Sequence, residues 1–449
     1  MGAGFAGVEC AWACAERGIP VRLYEMRPET TTPAHTTGHF AELVCSNSLK
    51  SKAPDSPAGI LKEEMTALGS LVLRCASDCE VPGGQALTVD REQFGAKVTR
   101  AIQGHPMIEV VSQEWDPGQL AAGVLTVIAT GPLSTGPVSH WLANATGRRH
   151  LHFYDSVSPT VHADSVDTHV AFAASRYGKG GDDYLNCPMD KEEYHAFVRE
   201  LVAAQRVPLR SFETGGVREP DTGSEDPAKI PYFAGCMPIE AIAERGERSL
   251  AFGNLKPVGL TDPRTGRRPY AVLQLRPENL ERTLYSLVAC QNRLKWGEQR
   301  RVFRMVPGLE NAEFARFGVM HRNTFLDAPR VLDAQLGVRG LEGVFVTGQL
   351  TGVEGYVESA AMGIWSGLVA AGRTRGASVV PPPRASAMGG LLSHLSDSTE
   401  REFAPMNVNW GLFPLPSEPV RDKGVRRAAQ LESARRDFAS WAAQAAGSE

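Results

Sequence analysis

Apolar and polar positions along the chain follow two periods. Ile60, Leu61, Met65, Leu68, Leu71 and Val72 recur near a 3.6-residue spacing, which predicts one helix over 58–73. Gln85–Val89 reads as a short strand, Asp90–Gln93 as the cap of a helix running through Ile102, and Ile108–Val111 as another strand. Leu125-Thr126-Val127-Ile128 is a buried strand that leaves on Ala129-Thr130-Gly131. The same texture returns near the other end. Gly343–Gln349 is a strand leaving on Gly348, and small residues through Gly363 then open a helix. This alternation predicts an α/β fold with a Rossmann-like, two-dinucleotide-fold domain. From about Asp164 the texture changes to short segments punctuated by Gly and Pro. An inserted α+β domain is expected over 161–319, between the two parts of the first domain at 1–160 and 320–449. Pro381-Pro382-Pro383 is a stiff linker. A basic helix follows, with Arg421, Lys423, Arg426, Arg427, Arg435 and Arg436, either a solvated face or part of an RNA-binding patch.

The start of the chain carries the most specific motif. Gly2-Ala3-Gly4-Phe5-Ala6-Gly7 is G-x-G-x-x-G at the head of a helix that ends at Gly18. The first glycine allows a tight turn, the second lets a pyrophosphate touch bare backbone, and the third lets the helix approach a sheet. The helix N-terminus turns free N–H groups and its positive dipole end toward the phosphates. An apolar strand, Ile19–Glu25, follows and ends in an acid. Glu25 stands about 20 residues past the glycines, where a carboxylate grips a ribose hydroxyl. The expected cofactor-binding set is Gly2, Ala3, Gly4, Phe5, Ala6, Gly7, Glu25, Gly131, Gly348 and Gly352. The motif should follow a central strand, yet only Met1 precedes it. Without that strand its neighbours would face a gap of about 10 Å. The natural chain is therefore expected to carry about ten more residues upstream, largely Val and Ile.

Composition narrows the setting. The 449 residues, 42% hydrophobic and 22% charged, suit two or three soluble domains. No run of about 18 apolar residues suggests a membrane span and no signal peptide is evident, which points to the cytoplasm. A net charge of −4 argues against wholesale coating of nucleic acid but leaves room for a local basic patch. The eight cysteines form no C-x-x-C pair and no zinc spacing, so free thiols and no metal site are expected. Two cysteines have distinctive settings. Cys45 is followed by Ser46-Asn47-Ser48 and, after Leu49, by Lys50; Cys236 sits between Gly235 and Met237-Pro238. On local grounds alone each reads first as a buried packing residue and only second as an activated thiol.

Gly2–Gly7, Phe40–Lys50, Tyr184–Pro188, Gly235–Glu240, Lys256–Gly266, Met320–Thr324, Gly348–Gly363 and Asn409-Trp410-Gly411 together resemble the TrmFO family. These are the folate- and FAD-dependent tRNA (uracil-5-)-methyltransferases of bacteria. The resemblance spans essentially the whole chain. It implies formation of 5-methyluridine in the T-loop of tRNA, at the position conventionally numbered 54. Methylenetetrahydrofolate would give the carbon, FAD would be bound and NAD(P)H would be the reductant. No obligate protein partner is expected. The resemblance places catalytic roles on Cys45 and Cys236, and a flavin-shielding role on Tyr356. Ala234 replaces a usual Glu, and Ala289–Arg293 replaces a usual Gly-Phe-Gln-Thr type run.

The chemistry explains the parts. C5 of uracil is a poor nucleophile until a thiolate adds at C6. A base must then remove the C5 proton. The donated methylene is one hydride short of methyl, so a methyltransferase of this kind needs a redox cofactor. Cys236 is the expected C6 nucleophile; Cys45 is expected to remove the C5 proton or protect the flavin. Two other readings stand beside this one: a flavin-dependent oxidoreductase acting on a small molecule, and a GidA-like protein that modifies the tRNA wobble uridine within a heterocomplex.

Overall fold

A computed structural model describes residues 1–32, 34–134, 136–148, 151–178, 181–208, 232, 237–396 and 403–446. Its first layer is a parallel sheet in two halves. Val21–Glu25 pairs with Ile108–Ser112, and Val344–Val346 pairs with Thr126–Ile128. Met1 and Gly2 stand between the halves. The Met1 amino group donates to the Val127 carbonyl at 2.7 Å, the Ala129 N–H donates to the Met1 carbonyl at 2.9 Å, and the Gly2 N–H donates to the Tyr24 carbonyl at 2.7 Å. These two residues thereby bridge the two halves of the sheet.

Helix Phe5–Ala15 packs against the long helix Tyr356–Thr374, and both are almost entirely buried. Their contact depends on small residues. A Cβ on Gly363 would collide with the Ala6 carbonyl, and one on Gly367 with Ala13 and Cys10. The region read as one helix over 58–73 is two, Pro57–Ala67 and Leu71–Ser77. Gly69 takes the left-handed conformation at φ +80°, and the Ser70 hydroxyl accepts from the Leu73 N–H to start the second helix. Apolar spacing survives the break because both helices face the same core, which includes Leu61, Met65 and Leu71.

A second, separate core forms around Tyr194, Phe197 and Phe303. It packs on a six-stranded antiparallel sheet. The strand order is Phe314–Arg316, Thr160–His162, Leu284–Leu287, Ala271–Pro277, Leu185–Met189, Phe172–Ala173. The chain passes between the two cores along an antiparallel pair, Leu151–Ser156 with Met320–Phe325. Among the described residues no helix is long and apolar enough to cross a membrane.

Candidate active site

The glycine motif takes three distinct environments. Gly2 has φ +87°, and a Cβ there would meet the Ala129 carbonyl. Gly7 is pressed onto the Gly2 carbonyl so closely that a Cβ would overlap it. A Cβ on Gly4 would meet no atom within 4 Å. Gly4 is also the cap position of helix Phe5–Ala15, whose first N–H groups receive no side-chain cap. This is bare backbone open to a groove, the arrangement that a pyrophosphate requires. The groove is lined by Gly2, Gly4, Phe5, Ala6, Glu25, Gly131 and Gly348. A Cβ on Gly131 would likewise meet nothing within 4 Å.

Ala3 and Gly7 act behind this surface. The Ala3 N–H donates to Glu25 Oε2 at 2.7 Å. Arg27 closes on the same carboxylate through its backbone N–H and its Nε, at 3.0 and 2.9 Å. Burial alone would raise the Glu25 carboxyl, but the hydrogen bonds and charge of Arg27 and the two N–H groups hold it below the ordinary carboxylate range. A ribose hydroxyl at Glu25 would share this anion with Arg27. Gly352 is placed differently. It lines neither cavity described here, and its α-carbon faces the Phe403 ring.

The polar segment after the strand is cross-tied. The Glu42 carboxylate accepts from the N–H and hydroxyl groups of Thr36 and Thr37, and from Arg27 at 3.2 Å. This loop carries Thr32 and His35 into the wall of the groove.

Tyr356, Val44, Pro132, Leu133 and Gln349 line both this groove and a second cavity of about 390 Å³. The second cavity holds Cys45, Ser46, Lys50, Arg276 and Ser286. The Cys45 N–H donates to Tyr356 Oη at 2.7 Å. The Tyr356 ring stacks on Phe5, centroids 4.6 Å apart, so it joins the glycine loop to the Cys45 segment. The structure thus brings together Cys45, Tyr356 and the glycine loop. Cys236 lies outside the described residues.

A cluster that sequence reasoning missed surrounds Cys45. Arg91 donates to the Cys45 carbonyl at 3.0 Å and is paired with Glu278. Arg276 reaches the Ser46 hydroxyl at 2.9 Å, and its Nε is buried without a partner. The Arg316 Nε is also buried and unpartnered. All three guanidinium groups act by charge on Cys45. Burial lowers Arg276 and Arg316 from the usual arginine value. Burial would raise the Glu278 carboxyl, but Arg91, with Arg276 and Arg316, brings it down to about 2. The one sequence signal was Arg276 itself, a cation interrupting the apolar strand Ala271–Pro277. A thiol, a tyrosine and a guanidinium with one unpartnered N–H at one cavity can receive a planar polar ring and stabilise negative charge on its oxygen.

A family profile described as glucose inhibited division protein A matches residues 1–378. Proteins named "Methylenetetrahydrofolate--tRNA-(uracil-5-)-methyltransferase TrmFO" match nearly end to end. The one from Desulfitobacterium hafniense is 51% identical over 428 residues, covering 95% of this chain and 94% of the relative. The one from Geobacter sulfurreducens is 49% identical over 444 residues, covering 99% and 98%. The solved structure of Aquifex aeolicus GidA in its form I crystal superposes with a TM-score of 0.66 at 15% identity, covering 99% of this chain and 75% of that one. That likeness carries the fold alone and agrees with the Rossmann-like α/β architecture. The chain belongs to the glucose inhibited division protein A family, within its TrmFO branch.

Proposed function

We propose that this protein methylates C5 of the T-loop uridine at position 54 of tRNA, taking the carbon from methylenetetrahydrofolate with FAD bound and NAD(P)H as reductant. The observation that carries the reading is the continuity of the glycine-lined groove with the cavity of Cys45, Tyr356 and Arg276. Gly2, Gly4, Gly131 and Gly348 are suited to hold the nucleotide, with Glu25 at its ribose. A bound flavin supplies the electrons that turn a transferred methylene into a methyl.

The chain's own groups account for the rest. A cysteine thiolate adds to C6 of uracil, C5 gains enolate character and attacks the electrophilic carbon, a base takes the C5 proton, and the sulfur leaves. Cys236 is assigned as the C6 nucleophile on the resemblance of its segment. Cys45 is assigned to the C5 proton or to protection of the flavin. Two cations stand beside the Cys45 segment: Arg91 on its carbonyl and Arg276 in the same cavity wall. Arg276 is positioned to meet the uracil oxygen that gains charge. Tyr356 shields the flavin edge while its hydroxyl fixes the Cys45 backbone. The enzyme works in the cytoplasm on an extruded base.

Tritium release from C5-labelled uridine in tRNA tests the reading. Wild type releases tritium only when folate is present; an oxidoreductase acting on small molecules would be indifferent to tRNA. Cys236→Ala abolishes release yet keeps FAD absorbance, and Cys45→Ala cripples it similarly. Near-normal turnover by Cys236→Ala would remove that residue from the nucleophile role.

A further inference from the structure

We propose that Trp296, Phe317 and Phe314 form a base-stacking platform for unpaired nucleotides of the RNA loop flanking the modified base. This assignment depends on tRNA being the substrate. Trp296 opens the helix Trp296–Phe303 and is 62% exposed, although burial of so large an apolar side chain is the norm. Its ring stacks on Phe317 with centroids 5.5 Å apart and planes 12° apart. Phe317 in turn stacks on Phe314 at 5.2 Å and 12°. The result is a ladder of three nearly parallel rings with its outer rung in solvent. Phe314 belongs to the edge strand of the six-stranded sheet, and both phenylalanines are half-buried, so sheet packing accounts for them. It does not account for Trp296.

Charge and position complete the case. The Arg300 guanidinium lies 5.5 Å from the Phe317 ring centre, and Lys295 precedes Trp296; both cations are exposed. Among the described residues neither is in an ion pair with a carboxylate. Phe317 sits between two links to the Cys45 cavity. Arg316 acts by charge on Cys45. Gly318 packs on the Val157 carbonyl, the Val157 N–H donates to the Val319 carbonyl at 2.7 Å, and Val157 lines the cavity. A uridine extruded into that cavity leaves its neighbours without stacking partners. Aromatic faces accept any base, and adjacent cations track the backbone.

The test is equilibrium binding of a T-arm hairpin RNA to the full-chain holoenzyme at 50 and 200 mM salt. Trp296→Ala weakens binding roughly 10-fold at both salts, because stacking is insensitive to ions. Arg300→Gln instead lowers the salt slope of log K by about 1. Tryptophan emission is quenched by the hairpin in wild type and less so in Trp296→Phe, which keeps a ring and settles the matter should the alanine variant not fold. If wild type methylates tRNA but Trp296→Ala binds within twofold and quenching is equal in Trp296→Phe, the platform is refuted; a patch for a protein partner would give that result. If wild type neither binds nor methylates tRNA, the functional reading fails first.

Discussion

At the scale of single residues, two glycines of the opening motif make separable predictions. Gly7→Ala forces a Cβ into the Gly2 carbonyl, which is backbone and cannot step aside. It should lower the melting temperature of flavin-free protein, by the 1–3 kcal/mol typical of overpacking. Gly4→Ala puts its Cβ into open groove. It should leave flavin-free melting unchanged and weaken FAD retention, read as lost absorbance after gel filtration. Equal effects of both variants on the flavin-free protein would show that Gly4 is also structural. The tight packing at Gly2 and Gly7 was legible in the sequence because the constraint is local: each answers to atoms within a few residues or to a facing segment. The Arg91–Arg276–Arg316 cluster was not legible. Its members are far apart in sequence and on separate segments, and only tertiary packing brings their charges to Cys45. Arg276→Met should therefore hold its fold while losing C5 tritium release far more than FAD binding. A proportional loss of both would make Arg276 a structural group.

Elements are joined by carboxylates that cap the start of a neighbour. Glu9, in helix Phe5–Ala15, accepts from Leu71 and Val72 N–H and from the Ser70 hydroxyl. Glu64 accepts from Ala387 and Met388 N–H at 2.7 and 2.8 Å, capping helix Ala387–Ser396. The pattern reader sees neither, because a Glu amid apolar residues looks like a misplaced surface group until its helix partner is known. Burial raises Glu64 to about 8 against an ordinary 4.5, outweighing its two hydrogen bonds. The folded chain therefore holds this proton where the unfolded chain has released it. Stability from the group is complete below about 4.5 and is lost as pH rises through about 8. Glu64→Gln removes the titration. Relative to wild type, the variant should gain up to about 1.4 kcal/mol per pH unit within that window, seen in urea unfolding at pH 5, 6.5 and 8. Parallel stability curves would show that Glu64 is ionised throughout.

At the scale of the whole molecule, the chain crosses between two cores along one pair of strands, and Arg91–Glu278 and Arg276–Ser46 tie them beside Cys45. The parallel half was foreseeable, since strand and helix alternate at both ends of the chain and a nucleotide motif opens it. The order of the six-stranded sheet was not, because Thr160–His162 lies between Leu284–Leu287 and Phe314–Arg316, partners more than a hundred residues away. No local pattern encodes a pairing that distant. We read the division at 161–319 from the separateness of the cores, and calorimetry can test it. The glycine groove belongs to the first core alone. Two heat-absorption transitions are expected, and FAD should raise only one. At a hundredfold excess over its dissociation constant, a ligand of the folded state adds about 2.7 kcal/mol. For a unit of this size that shifts its transition by roughly 5–10 °C. The second transition should stay in place, since its core, around Tyr194, Phe197 and Phe303, holds none of the groove's lining. A single transition that moves as a whole would mean that the strand pair and the Cys45 cavity couple the two cores into one cooperative unit, and the division would fall.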